Sequence, residues 1–258
     1  MLNKKILIAN FKMNPQNAKE AINLIKNILK NLKNIKNTEI VFAPPFIYIE
    51  NLKKLIKRYG LASQNLFYQD NGAYTGEISY KMLENLGVDY AILGHSERRA
   101  LGEGNQFINQ KLKVLNKSSI IPILCIGENF RDNNHEYVNF LQNQILECTE
   151  GINKKILEKL IIAYEPVWAI GKDADREATP EEFLEIKILI KKVLTLKFGV
   201  KNINNVRIIY GGSVDDKNIS GFLEQGETDG FLVGRASLDS KKFIKIISCV
   251  ENNFKIHE

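Results

Sequence analysis

Three groups of residues have the types and positions to do chemistry. The first is Glu165, which ends the apolar run Leu160–Ala163 after Tyr164 and is followed by Pro166. Proline fixes the backbone directly behind the carboxylate. A carboxylate held stiffly at the end of a buried strand is a candidate general base. Behind it, Val167–Gly171 is an unusually apolar loop containing Trp168, the only tryptophan of the chain. Such a loop is either a lid that closes over a ligand and excludes water, or a segment docked permanently on its neighbours. The second group is His95, reached through Gly94 and leading into Ser96-Glu97-Arg98-Arg99, which reads as the first turn of a helix. The partial positive charge of a helix N-terminus should keep that imidazole neutral, so that it can donate to a substrate carbonyl. A structural, locally bonded histidine is the alternative. The third group is Asn10 and Lys12, which emerge together from an apolar run and could set a fixed positive charge beside an anionic substrate. An ordinary solvated lysine is the alternative there. His135 and His257 receive no role, and one histidine without a carboxylate cluster does not suggest a metal site.

The elements that must position these groups alternate along the chain. Strands are expected at Lys5–Asn10, Glu39–Ala43, Leu61–Asn65, Tyr90–Gly94, Ile121–Cys125, Leu160–Tyr164, Val206–Tyr210 and Gly230–Val233, with helical patterns between them. Pro15–Leu32 sets Ala18, Ile22, Ile25 and Leu29 on one face at helical spacing. Thr179-Pro180-Glu181-Glu182 reads as an N-cap, a proline at the first helical position and an acidic first turn. Eight strand–helix units over residues 1–258, with no Pro/Gly/Ser-rich linker, predict one domain, a closed (β/α)8 barrel of parallel strands. An open doubly wound sheet would want a Gly-x-Gly-x-x-Gly after the first strand, where Phe11-Lys12-Met13-Asn14 stands instead. In a barrel, chemistry belongs at the C-terminal strand ends, where all three groups fall. The last two strands end in Gly211-Gly212-Ser213 and Gly234-Arg235, turns whose backbone N–H groups could cradle a phosphate.

Bulk properties narrow the rest. With 44% hydrophobic and 26% charged residues the composition is that of a soluble globular protein. The net charge of +6 is spread over helix faces without a basic block interleaved with aromatics, which argues against nucleic-acid binding. Cys125, Cys148 and Cys249 are odd in number and dispersed, as expected in a reducing compartment. The apolar run after Lys4-Lys5 stops at Asn10, too short for a signal peptide, and no stretch is long enough to span a membrane; a cytoplasmic protein is expected.

In order and interval, Asn10-Phe11-Lys12, Gly94-His95-Ser96-Glu97-Arg98-Arg99, Cys125-Ile126-Gly127-Glu128, Ala163-Tyr164-Glu165-Pro166-Val167-Trp168-Ala169-Ile170-Gly171 and Tyr210-Gly211-Gly212-Ser213 resemble the triosephosphate isomerase family. The likeness covers essentially the whole chain. It implies a TIM barrel that interconverts D-glyceraldehyde 3-phosphate and dihydroxyacetone phosphate, in glycolysis and gluconeogenesis, without metal or organic cofactor. It implies that Glu165 moves the proton between neighbouring carbons, that neutral His95 serves the oxygens, and that Lys12 and Asn10 stabilise negative charge, with Glu97 bracing Lys12. Backbone amides of Gly171, Ser213, Gly234 and Arg235 would hold the phosphate. The loop Gly72–Glu77 resembles the family's dimer loop, which implies a homodimer.

Two departures fall at the phosphate end. Lys172–Glu177 is two residues longer than the family's lid hinge and lacks its second glycine, and Arg235 stands where the family usually has a second glycine. They leave room for a competing reading within the class, an isomerase of a four-carbon erythrulose phosphate. A phosphate-ligand binder that has lost catalysis is the reading from another class; the intact Lys12, His95 and Glu165 speak against it.

Overall fold

The computed structural model describes residues 4–32, 35–132, 134–171, 174 and 176–253. Eight parallel strands close on themselves in sequence order: β1 Lys5–Asn10, β2 Thr38–Ala43, β3 Gly60–Ser63, β4 Tyr90–Leu93, β5 Ile121–Ile126, β6 Ile161–Tyr164, β7 Arg207–Tyr210 and β8 Gly230–Val233. Each expected strand is present, with ends shifted by at most two residues. Closure is made by β1 against β8, with Ile6 opposite Gly230 and Ala9 opposite Val233.

Both faces of the strands are covered, so their few polar side chains, such as Lys5, Asn10, Thr38, Glu39, Ser63 and Arg207, lie at or next to the strand ends. Alternation sorts the side chains into two layers. Ile6, Ile8, Val41, Ala43, Ala62, Ile92, Ile123, Cys125, Ile161, Ala163, Ile209 and Leu232 fill the barrel interior. Leu7, Ala9, Phe42, Leu93, Leu124, Ile162, Tyr164 and Phe231, their neighbours in sequence, pack outward against the helices. Each buried Ile, Leu, Val or Phe contributes about 1.5–3 kcal/mol, so the inward and outward sets both hold the strand register. At the N-terminal end the interior is closed by polar groups: Arg207 donates to Glu39 Oε2 at 2.5 Å, and the Tyr90 hydroxyl donates to the same carboxylate. Burial, then this carboxylate, raises the Tyr90 phenol far above its ordinary pKa, so it stays a donor.

The helix expected from Pro15 begins at Ala18, because Asn17 is extended and its side chain accepts the Glu20 N–H as an N-cap. Its buried stripe is Ala21, Ile25 and Ile28, with Ala18, Ile22 and Leu29 at the margins, so the face is rotated from the expected one. Thr179 and Glu182 form the reciprocal capping box that starts the Pro180–Phe198 helix, with proline in the first turn as the sequence indicated. No helix among the described residues is long and apolar enough to cross a membrane.

Candidate active site

The inward alternation continues past the strand ends and decides what faces the mouth of the barrel. From Ile161 and Ala163 the next inward position is Glu165; from Ile6 and Ile8 it is Asn10, then Lys12; from Ile209 it is Gly211, and from Leu232, Gly234. These residues, with His95, Ser96 and Gly171, line one cavity of about 650 Å³ at the C-terminal end.

Glu165 is 2% exposed and its backbone is clamped. Its N–H donates to Ile126 O at 2.8 Å. A Cβ on Gly127 would lie 1.7 Å from the Glu165 carbonyl oxygen, so only glycine lets β5 and β6 approach this closely. Gln144 fixes Gly127 in turn, accepting its N–H at 2.9 Å and donating to its carbonyl at 3.2 Å. Beneath lies Cys125, whose thiol is pushed well above its ordinary range, by burial first and then by the Glu165 charge. It remains a packed thiol, not a nucleophile.

His95 is the N-cap of the Ser96–Ala100 helix, and its Nδ1 accepts the Glu97 N–H at 3.2 Å. An accepting Nδ1 has no proton, so the neutral ring carries its proton on Nε2. Nε2 faces Glu165 Oε1 at 3.1 Å. The other carboxylate oxygen, Oε2, accepts the Ser96 N–H at 2.7 Å. Base and imidazole therefore converge, but in contact with one another. No substrate atom fits across 3.1 Å, so the carboxylate must leave Ser96 and His95 before it can reach a carbon.

Lys12 has φ +52°, a left-handed conformation that lysine rarely adopts. Two side chains hold it there. Asn10 Oδ1 accepts the Lys12 N–H at 3.0 Å, and Gln64 Nε2 donates to the Lys12 and Ala43 carbonyls at 2.8 and 2.9 Å. The ammonium bonds Glu97 Oε1 at 2.6 Å, which ties the β1 end to the helix that His95 caps. The Lys12 stem lies against Gly234, where an added Cβ would come within 3.3 Å of Lys12 Cε.

The phosphate end is built differently from the expectation. Gly211-Gly212-Ser213 does not feed a helix directly; Asp215 and Asn218 close a polar turn first, Asp215 Oδ1 accepting the Lys217 and Asn218 N–H groups, and the helix starts at Ile219. After β8 a 3-10 turn, Arg235–Leu238, begins at once, so the Arg235 and Ala236 N–H groups precede its first internal bond and are free to meet an anion. Ser213 Oγ donates to Ala169 O at 3.3 Å, joining the β7 turn to the apolar loop that holds Trp168. The Arg235 side chain is exposed at the cavity rim. Of the altered hinge, Lys172, Asp173 and Asp175 lie outside the described residues.

Sequence reading missed Ser96 and Gln64. The first acts through its backbone, which no residue type announces. Gln64 could have been found, since it continues the inward alternation of Ala62.

Taken together, a closed (β/α)8 fold and a mouth that gathers a carboxylate, an imidazole and an ammonium define a barrel enzyme of the acid–base kind. The family model described as triosephosphate isomerase matches residues 5–250, and the chain belongs to the triosephosphate isomerase family. Its relatives include the triosephosphate isomerase of Dictyoglomus thermophilum, 40% identical over 95% of this chain and 99% of that protein. That of Dehalococcoides mccartyi is 42% identical over 94% and 95%, and that of Fusobacterium nucleatum 39% identical over 95% and 98%.

Proposed function

We infer that this chain interconverts D-glyceraldehyde 3-phosphate and dihydroxyacetone phosphate. The observation that carries the reading is the convergence of Glu165 and His95 within 3.1 Å at the barrel mouth, in a chain of this family. Glu165 takes the proton from the carbon beside the carbonyl, and the C–H electrons pass through the new carbon–carbon double bond to the carbonyl oxygen. His95 Nε2–H gives its proton to that oxygen and Nε2 takes the hydroxyl proton from the oxygen on the neighbouring carbon, which becomes the new carbonyl as the proton held by Glu165 returns at the former carbonyl carbon. Lys12 and Asn10 offset the negative charge of the enediolate, and Glu97 keeps the ammonium in place. The Gly171, Ser213, Gly234 and Arg235 amides receive the phosphate.

Glu165 is joined through Pro166 to the apolar loop, so a swing of the carboxylate toward substrate and a closure of the loop are one movement. Closure excludes water, which protects the enediolate from losing phosphate.

The four-carbon reading finds no support among the relatives named above, each a triosephosphate isomerase. The assay that decides runs both trioses beside erythrulose phosphates. The triose is expected to win in kcat/KM by orders of magnitude; a four-carbon ketose that matched it would sink the assignment.

A homodimer through Gly72–Glu77 is part of the proposal. The loop is exposed throughout, and Met13, Ile47, Tyr74, Met82 and Leu101 are exposed apolar side chains that each follow one of β1–β4, hence one side of the barrel. Apolar groups gathered there fit a self-association surface. Light scattering at micromolar concentration should give twice the chain mass; a monomer would refute it.

A further inference from the structure

Trp168 is gripped from three directions. Glu128 Oε1 accepts its indole N–H at 2.8 Å, and the Arg131 guanidinium lies 5.6 Å from the ring centroid. Among the described residues a second cation lies closer than Arg131: the Arg176 guanidinium sits 4.5 Å from the same centroid, within cation–π range. Glu128 and Arg131 follow β5. Arg176 comes from the hinge itself, the stretch that carries the lid into the Pro180–Phe198 helix and departs from the family pattern in length.

Arg176 is anchored at its other side. Its Nη1 and Nη2 donate to Glu182 Oε2 at 2.9 Å and Oε1 at 2.6 Å, a two-pronged pair. Glu182 is the capping-box residue, so the same Oε2 also accepts the Thr179 N–H at 2.8 Å, while Oε1 lies 3.5 Å from Arg131 Nη1. One carboxylate, fixed at a helix start, thus anchors Arg176 and also touches Arg131, which Glu128 and Glu185 hold at 3.3 Å each.

We propose that Arg176 is a positioning residue: it holds the lid in its resting arrangement by stacking on Trp168 from the Glu182 anchor, and so sets how tightly the enzyme binds substrate. This rests on the isomerase reading above, in which the lid and Glu165 must leave the resting arrangement before substrate fits. A contact made in only one of two states lowers apparent affinity for a ligand of the other by its full differential strength. Removing the contact therefore tightens binding.

The test is Arg176→Met, which keeps the stem and loses fork and charge, with Arg176→Lys, which keeps the charge but loses the flat fork. Calorimetric titration with 2-phosphoglycolate, an enediolate mimic, and steady-state kinetics are run on both and on the unsubstituted chain. The Met variant should bind the mimic and lower KM by roughly three- to tenfold, the span of one exposed cation–π contact with its ion pair. The Lys variant should fall between, and kcat should not rise in step. A residue that merely braced the fold would lower the melting temperature without tightening binding. Equal or weaker binding of 2-phosphoglycolate by the Met variant overturns the proposal. Failure of the isomerase reading would show instead in the unsubstituted chain, as absent triose interconversion and no response of Trp168 fluorescence to the mimic.

Discussion

Replacing Glu165 by Gln lowers kcat by about 10³- to 10⁴-fold, the upper range for loss of a positioned base. The shape is kept, so the fold should survive. The hydrogen-bonding pattern is not kept. In the resting arrangement both Glu165 oxygens accept, one from the Ser96 N–H at 2.7 Å and one facing His95 Nε2 at 3.1 Å. A Gln side chain has a single oxygen, so one of those contacts becomes donor against donor, a loss of about 1–3 kcal/mol for a buried group. The amide should therefore leave the resting position more readily than the carboxylate does. KM is expected to stay level or fall while kcat collapses, a split that a damaged fold would not give. Glu165→Asp supplies the control. It keeps the charge but draws the carboxylate back by one methylene, and a misplacement of about 1 Å costs on the order of 10²-fold. Residual activity should therefore run Glu, Asp, Gln. A Gln variant more active than the Asp variant would remove Glu165 from the role of base.

Much of this arrangement was legible in the chain. The short apolar runs located all eight strands, because strands covered on both faces leave no freedom in residue type. Glu165, His95, Asn10 and Lys12 stood out as polar residues just past such runs, where a barrel gathers its functional groups. What was not legible depends on contacts between distant segments. Nothing in Phe11-Lys12-Met13 signals a left-handed lysine, since the conformation is imposed by Asn10 and by Gln64, 52 residues further on. Ser96 binds Glu165 through an N–H that every residue but proline has. The late helix start after Ser213 has a related cause: Asp215 and Asn218 spend their side chains on the local backbone and delay the helix to Ile219. Arg176 looked like one more residue in a lengthened hinge. Its pairing with Glu182 and Trp168 exists only once the lid and the next helix are folded together.

Lys12→Met is expected to reduce kcat/KM by about 10²- to 10³-fold. A unit charge about 5 Å from the developing oxyanion contributes on the order of 3 kcal/mol at an effective dielectric of about 20. The substitution should spare the fold. Met is unbranched like Lys, so the strained φ is no worse, and the Asn10 and Gln64 bonds that hold it reach only the backbone. The partner left behind, Glu97, has a side chain 57% exposed and is rehydrated, so the lost ion pair itself is worth at most about 1 kcal/mol. The larger consequence is electrostatic. Without the ammonium, Glu97 presents an uncompensated negative charge on the cavity lining, facing an incoming phosphate ester. Two effects therefore add, a missing attraction and an exposed repulsion, and they can be separated. Lys12→Met combined with Glu97→Gln removes both charges and should recover part of the lost KM while leaving most of the kcat defect. Because both effects act on anions, the defect in KM should shrink as ionic strength rises. Steady-state kinetics of the single and double variants at two salt concentrations check this. A Met variant within a few-fold of the parent, or a double variant no better than the single, would show that the ammonium at the mouth is a solvated lysine and that the charge on the enediolate is met by other groups.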